Sequence, residues 1–299
     1  MSDHHDVLIV TVTYDSGEHL EKFLASVPAS THRSYWVVVA DNGSSDGAPR
    51  RAVAAAERVT LVELGRNLGY GGAVNAALDQ VPSTAAWVVV VNPDVELLPG
   101  SLDELLDEGR RHPRTGALGP AIVDAAGKPY PSARRFPSLV AGTGHALFAK
   151  LWPANPWSQR YLMSREGDDP REVDWLSGAC LLLRRDALDG VQGFDERYFM
   201  YFEDVDLSLR LDRAGWSRRF VPSSRIVHVG AHSTSGRRAA MVRAHHESAA
   251  RFVSVMYPGA AAAPLRWTVQ IGLGLRSRIV TSPLVLKRGR DAGGPPASD

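Results

Sequence analysis

The sequence predicts an α/β fold: a mainly parallel sheet flanked by helices, of the nucleotide-binding type, with an amphipathic C-terminal extension. Three observations carry this. Strand-like and helix-like stretches alternate as β-α-β-α-β-α-β through the first hundred of 299 residues, the order that builds parallel sheets covered on both faces. Trp87-Val88-Val89-Val90-Val91 is apolar without alternation, as in a strand buried on both faces. That run stops at Asn92-Pro93-Asp94, and a proline ends ladder pairing, so Asn92 and Asp94 are expected at the carboxyl edge of a central strand, where open α/β sheets bind ligands.

The elements follow in order. Val7 to Thr13 is β-branched and reads as the first strand. Leu20, Phe23, Leu24 and Val27 recur at helical spacing, with Ser16 as the expected cap and Pro28 as the expected stop. Trp36 to Ala40 is the second strand, running into the turn Asp41-Asn42-Gly43-Ser44-Ser45-Asp46-Gly47. Residues 48–57 read as helix, Val59 to Leu64 as strand, 65–72 as a Gly-rich loop, and Ala73 to Leu78 as helix. Ser101-Leu102-Asp103-Glu104 has the form of a capping box opening a helix to Arg111. Ala121-Ile122-Val123 is a short strand before a hairpin-like turn at 124–128, and 129–170 read as a long loop. Strand character resumes from Gly178 to Leu183. A helix spans Glu203 to Ala214, with Asp206 and Arg210 at i,i+4 and Gly215 closing it. Phe220-Val221 and Ile226 to Val229 are strand pieces around a Pro222-Ser223-Ser224 turn.

Composition excludes several classes. Lys+Arg 34 against Asp+Glu 33 leaves no field for nucleic acid. A single cysteine, Cys180, rules out an intrachain disulfide framework and fits a reducing, cytoplasmic setting. The first residues, Met1-Ser2-Asp3-His4-His5-Asp6, lack the basic start of a secretory leader. No apolar run reaches the roughly 18 residues of a spanning helix. There is no Gly-x-x-x-x-Gly-Lys-Ser/Thr and no Gly-x-Gly-x-x-Gly after the first strand, which disfavours P-loop and dinucleotide enzymes.

Candidate chemistry gathers at strand ends and helix starts. Asp94 suits a hard cation carrying phosphates. His228, on an apolar strand, gains a role as its partner, since imidazole plus carboxylate suits Mn²⁺. Arg66, in the loop with Gly65, Gly69, Gly71 and Gly72, can pair with phosphate while the glycines allow close backbone approach. Glu203-Asp204 either answers a helix dipole or forms a general base in a partly apolar pocket. Tyr198 and Tyr201 lie just before the pair as core or as sugar platforms.

Taken together, these segments resemble the family 2 glycosyltransferases of GT-A fold over about residues 6–235. The matching stretches are Val10-Thr11-Val12-Thr13-Tyr14, Asp41 to Gly47, Asn67-Leu68-Gly69-Tyr70-Gly71-Gly72, Asn92-Pro93-Asp94, Ser177-Gly178-Ala179, Glu203-Asp204 and His228. The resemblance implies inverting transfer from a nucleotide sugar with a divalent metal, Mn²⁺ or Mg²⁺. It implies that Asp41 reads the nucleobase, that Asp94, with His228, holds the metal, and that Asp204 is the base. Thr13, Tyr14, Arg66, Asn67, Gly71 and Asn92 fall on the donor side; Trp175, Ser177, Gly178, Ala179 and Tyr201 fall on the acceptor side. Asn92 departs from the usual first carboxylate of Asp-x-Asp, and there is no Gln-x-x-Arg-Trp of processive members. The Asn-Pro-Asp form, Trp175-x-Ser177-Gly178-Ala179 and Phe202-Glu203-Asp204-x-Asp206 look like the cell-wall rhamnosyltransferases of the family. These imply dTDP-rhamnose as donor and a polyprenyl-diphosphate N-acetylglucosamine as acceptor.

The competing readings are a sugar-phosphate nucleotidylyltransferase, against which Tyr14-Asp15-Ser16-Gly17 stands where a basic Gly-rich loop belongs, and a non-catalytic nucleotide-sugar-binding protein. The expected domains are 1–235 (donor half about 6–115, acceptor half about 116–235), a helical extension 236–290 and a disordered tail 291–299. Between Pro264 and Arg290, apolar stretches alternate with Arg266, Arg276, Arg278, Lys287, Arg288 and Arg290 without an acid. That is the pattern of a segment lying on an anionic membrane surface, although Gly272, Gly274 and Pro283 are expected to weaken a continuous helix. A homo-oligomer is left open.

Overall fold

A computed structural model describes residues 5–136, 169–229 and 238–280. The first half alternates as expected: β1 (Val7–Thr13), α1 (Glu18–Ser30), β2 (Tyr35–Asp41), α2 (Ala48–Ala54), β3 (Val59–Glu63), α3 (Tyr70–Gln80) and β4 (Trp87–Val91). Then come β5 (Val95–Leu97), α4 (Ser101–Arg111), β6 (Thr115–Val123), β7 (Pro129–Tyr130), β8 (Ala133–Arg134), β9 (Arg171–Glu172), β10 (Trp175–Leu176), β11 (Cys180–Arg184), α5 (Arg185–Gly190), α6 (Glu203–Arg213) and β12 (Ser217–His228).

The main path through the sheet is β3-β2-β1-β4-β11-β6-β12-β5. β1 pairs parallel with both β2 and β4, so the chain winds outward in both directions from the β1–β4 boundary, the switch point where such sheets bind ligands. β11 is antiparallel to β4 and to β6, which makes the sheet mixed. Every residue of β1 and β4 is buried. Leu20, Phe23 and Val27 of α1 and Leu102, Leu105 and Leu106 of α4 cover one face. Ala73, Val74 and Ala77 of α3 and Leu207 and Leu211 of α6 cover the other. This two-sided cover is why the valine run needs no alternation. Cys180, the sole cysteine, pairs with Val91 on β4; it is buried, and burial pushes its thiol up to about 12.

Several expectations are corrected. Pro28 lies inside α1, and Gly17, not Ser16, is its N-cap; Ser16 Oγ instead accepts from Thr13 Oγ1 at 2.8 Å. In the last turns Ser26 and Ser30 donate to the carbonyls of Phe23 and Val27, and the helix runs two residues past the proline. The capping box does not form: Gly100 is the N-cap of α4. Asp103 is drawn away to Thr31 and His32, and Glu104 to the Ser223 hydroxyl. α3 starts at Tyr70, so Gly71 and Gly72 belong to its first turn. β6 begins at Thr115, before the short strand expected at 121–123. The expected break at Pro222 is a bulge between Val221 and Arg225 within one strand. Most of the 129–170 loop and the tail from 281 lie outside the described residues.

The chain divides into two compact units. The first holds Met1–Arg197 and Glu203–Gly230; the second holds Tyr198–Phe202 and Ala231–Asp299. The second unit contains α7 (Arg238–Met256), a short 3₁₀ turn (Ala260–Ala262) and α8 (Ala263–Val280). α8 runs unbroken through Gly272 and Gly274, since a glycine weakens a helix by only about 1 kcal/mol. Trp267 and Ile271, four residues apart, are 67% and 63% exposed. Among the described residues no helix is long and apolar enough to cross a membrane.

Candidate active site

At the carboxyl ends of β1, β2 and β3 the turns are tied to one another. The buried Asn42 is the hub: its backbone N–H bonds Thr13 O at 2.9 Å. Its side-chain amide donates to Asn67 Oδ1 at 3.0 Å and to Gly69 O at 3.2 Å, and its carbonyl oxygen accepts from Leu68 N at 2.8 Å. Asn67 Oδ1 also accepts from Gly69 N at 2.9 Å. Asp41 Oδ1 accepts from Ser44 N, three residues on, at 2.9 Å, and Asp15, at φ 52°, accepts from Ser45 N at 2.7 Å. Tyr14 is half-buried beside this edge and Arg66 is exposed. Gly71 has a packing reason for its identity: a Cβ there would lie 2.8 Å from Phe194 Cβ.

Past β4 the chain turns through Asn-Pro-Asp. Asn92 N donates to Ala179 O at 3.0 Å, so the end of β4 is stitched to the Ser177-Gly178-Ala179 segment. β5 pairs with β12, setting Val95 against His228. This register carries the Asp94 carboxylate to 3.2 Å from His228 Nε2, with side chains 24% and 23% exposed. Burial alone would raise the Asp94 pKa, but the hydrogen bond and charge of His228, together with a backbone hydrogen bond and His19, hold the carboxyl below its ordinary value. Among the described residues no group of three His, Cys, Asp or Glu side chains forms a metal cage. One carboxylate and one imidazole still fit a divalent cation that completes its shell with substrate phosphates and water.

The carboxylate pair opens α6. Asp204 Oδ2 accepts from Gly178 N and Oδ1 from Val205 N, both at 2.8 Å. The approach to Gly178 is close: a Cβ there would stand 3.2 Å from Asp204 Cβ. Glu203 is buried, and among the described residues its Oε2 has no hydrogen-bond partner. Burial first, and the Asp204 charge second, push Glu203 up to about 8. Burial also raises Asp204, opposed by the two backbone N–H groups and the Arg134 charge. Asp204 is therefore the member fitted to hold the negative charge at neutral pH. The first turn of α6 is itself anchored, since Asp206 pairs with Arg210 at 2.6 Å and Arg210 donates to Val191 O and Gly193 O.

Tyr70 links the two acidic centres. Its hydroxyl donates to Gly178 O at 3.2 Å. Burial, followed by the charges of Glu203, Cys180, Asp204 and Asp94, drives its pKa well above 10.0. In the segment expected on the acceptor side, Trp175 is buried, its indole N–H bonding Arg135 O at 3.0 Å. The Arg134 guanidinium lies 5.0 Å over its ring. Ser177 N donates to Ser132 O at 2.8 Å, and Ala179 N to Ser177 Oγ at 3.4 Å. Tyr201 belongs to the second unit. The sequence reading gave no individual role to Asn42, Tyr70 or Arg134. The first two stood within the quoted motifs; Arg134 had no marker beyond a basic stretch.

Comparison with known proteins identifies the family and the fold. Residues 8–191 match the family described as Glycosyl transferase family 2. The N-acetylglucosaminyl-diphospho-decaprenol L-rhamnosyltransferase of Mycobacterium tuberculosis (strain ATCC 25618 / H37Rv) is 50% identical over 285 residues, covering 92% of this chain and 93% of its own. The mannosyltransferase PcManGT from Pyrobaculum calidifontis, solved with GDP-Man and Mn²⁺, superposes at a TM-score of 0.58 with 19% identity, over 99% of this chain and 78% of that one. GalNAc-T7, solved with UDP, GalNAc and Mn²⁺, gives 0.59 with 16% identity, over 90% and 55%. These two likenesses show the shared fold of GT-A type. Sugar transfer thereby displaces the nucleotidylyltransferase and non-catalytic readings, and the chain belongs to the family 2 glycosyltransferases.

Proposed function

We propose that this glycosyltransferase moves L-rhamnose from dTDP-L-rhamnose to a hydroxyl of N-acetylglucosaminyl-diphospho-polyprenol, with inversion at the anomeric carbon. The observation that carries the reading is 50% identity along 92% of the chain to a relative named for that acceptor and that sugar.

Asp204 takes the proton of the acceptor hydroxyl as that oxygen bonds to the anomeric carbon. The bond from the anomeric carbon to the dTDP oxygen breaks on the opposite face, and dTDP leaves with the electron pair. The N–H groups of Gly178 and Val205 fix the carboxylate plane, and an ionised carboxylate has about four lone-pair sites, enough to accept the hydroxyl as well. Glu203, pushed to about 8, adds little competing negative charge near neutral pH. Tyr70 holds the Gly178 carbonyl and thereby the strand end on which the base rests. Asp94 and His228 would hold a divalent cation, Mn²⁺ or Mg²⁺; when bound, it offsets the charge on the departing diphosphate. Thr13, Tyr14, Asp41, Arg66, Asn67, Gly71 and Asn92 line the donor side; Trp175, Ser177, Gly178 and Ala179 serve the acceptor.

A polyprenyl acceptor resides in a membrane, so we place the enzyme at the cytoplasmic face as a peripheral protein. The exposed Trp267 and Ile271 beside Arg266 in α8 support contact with an anionic surface.

The test is turnover with purified protein, dTDP-rhamnose and a short-chain polyprenyl-diphosphate N-acetylglucosamine, read as a mass gain of one deoxyhexose. A panel of UDP-, GDP- and dTDP-sugars at one common concentration, about 100 times the dissociation constant of dTDP-rhamnose, should single out dTDP-rhamnose by roughly 2.7 kcal/mol of stabilisation. Stabilisation by GDP-sugars alone would overturn the donor assignment.

A further inference from the structure

Tyr201 and Phe202 are consecutive non-glycine residues at φ 68° and 66°. This left-handed region is unfavourable for any residue with a Cβ, and such residues persist only where their surroundings over-determine them. The next two residues are Glu203 and Asp204, so the backbone direction from which the carboxylate pair departs is set by these two torsions.

The surroundings that hold them lie on α7. Ser248, buried at 5% exposure, donates its hydroxyl to Met200 O at 2.8 Å. Phe252, 1% exposed, packs its ring 5.6 Å from that of Phe202. His245 sets its ring edge-on against both Tyr201 and Phe202, each at 5.4 Å, and the Arg251 guanidinium lies 5.9 Å over Tyr198. His245, Ser248 and Phe252 stand at i, i+3 and i+7, a single face of the helix. Upstream, the chain is held just as firmly. Asn75 pairs with both the N–H and the C=O of Phe194, at 3.0 and 2.9 Å, and Arg210 grips the carbonyls of Val191 and Gly193. The five residues Tyr198–Phe202 therefore run from a fixed loop to the base, and α7 grips them in the middle.

We propose that α7 is a positioning element for catalysis: Ser248, His245 and Phe252 keep Tyr201 and Phe202 left-handed and so keep Asp204 seated on the Gly178 N–H. This rests on the assignment of Asp204 as base, and extends it to side chains of α7.

The experiment uses full-length protein carrying Ser248→Ala, with two readouts. One is kcat and the donor KM. The other, independent of turnover, is hydrogen exchange of the Gly178 amide. The expected result is a kcat about tenfold lower with donor KM unchanged, since small misplacements of catalytic groups cost roughly that order. Gly178 exchange should be several-fold faster while β1 and β4 amides and the melting temperature stay put. Ser248→Thr, which keeps the hydroxyl, should recover most of both, and Phe252→Leu should reproduce the loss. Unchanged Gly178 exchange overturns the proposal whatever the turnover. A general rise in exchange with a fall in melting temperature also overturns it, because the role is then merely structural. Failure of the base assignment is seen separately, as turnover that survives Asp204→Asn.

Discussion

The two ends of the site are built on opposite terms. At the tips of β1, β2 and β3 the polar side chains are paired among themselves: Asn42 with Asn67, Leu68 and Gly69, Asp41 with Ser44, Asp15 with Ser45. At the start of α6 a carboxylate is buried with an oxygen lacking a partner among the described residues, another is lifted by burial, and the two preceding residues are left-handed. Asp94 falls on the first side of this divide, held below its ordinary pKa by His228, and Glu203 on the second, pushed to about 8. A rigid cradle suits a ligand that must be recognised. Strain and shifted protons suit groups that must react.

The largest effect expected from breaking this contrast is at Asp204, the proposed base. Asp204→Asn should lower kcat by about 10²–10⁴-fold, the usual range for a lost general base, while calorimetry shows dTDP binding intact. Near-normal turnover would move the base elsewhere. On the cradle side, Asp41→Ala should weaken dTDP by about 1.5–3 kcal/mol, the range for a charged hydrogen bond, which is roughly ten- to a hundredfold. Equal weakening of GDP would show that Asp41 serves only its turn with Ser44. Gly178→Ala sharpens the comparison from the strained side. Its methyl would meet Asp204 Cβ at 3.2 Å, and we expect roughly a tenfold fall in kcat with donor affinity unaltered.

The smallest effect is on stability. Glu203 has a folded-state pKa of about 8 against an ordinary 4.5. Its protonated form is thus favoured by folding; the associated stabilisation is complete below about pH 4.5 and is lost as pH rises through about 8. Wild-type melting temperature should decline across that window, and Glu203→Gln, which cannot ionise, should flatten the decline by a few degrees. Parallel curves for the two proteins would place the charge of the pair differently.

Much of this arrangement could be read in the chain before folding. The valine run ending at Asn-Pro-Asp located the β4 edge because burial on both faces leaves no alternation. Asp94 and His228 stand 134 residues apart; residue chemistry offered them as partners, and resemblance supported the pairing, but no spacing rule could bring them together. Pro28 and the Ser101 box misled for a shared reason. Local signals state what a segment prefers alone, and here tertiary partners override them, with Asp103 committed to Thr31 and His32 and Glu104 to Ser223. Arg134 lay in a stretch without period, its nearness to Asp204 created by the pairing of β8 with β10. The left-handed turn at Tyr201 and Phe202 carried no signal at all, because glycine and asparagine announce that conformation and aromatic residues do not.

Cys180 gives the molecule an internal clock. It is the only thiol in the chain, it pairs with Val91 at the end of β4, and it lies one residue beyond Ala179, whose carbonyl holds Asn92. Buried and with its thiol pushed to about 12, it is inert to a thiol reagent while β4 and β11 stay together. Alkylation of the wild-type protein therefore counts the openings of the seam between the edges of β4 and β11. A nucleotide sugar that braces both edges should slow that count without any substitution having been made.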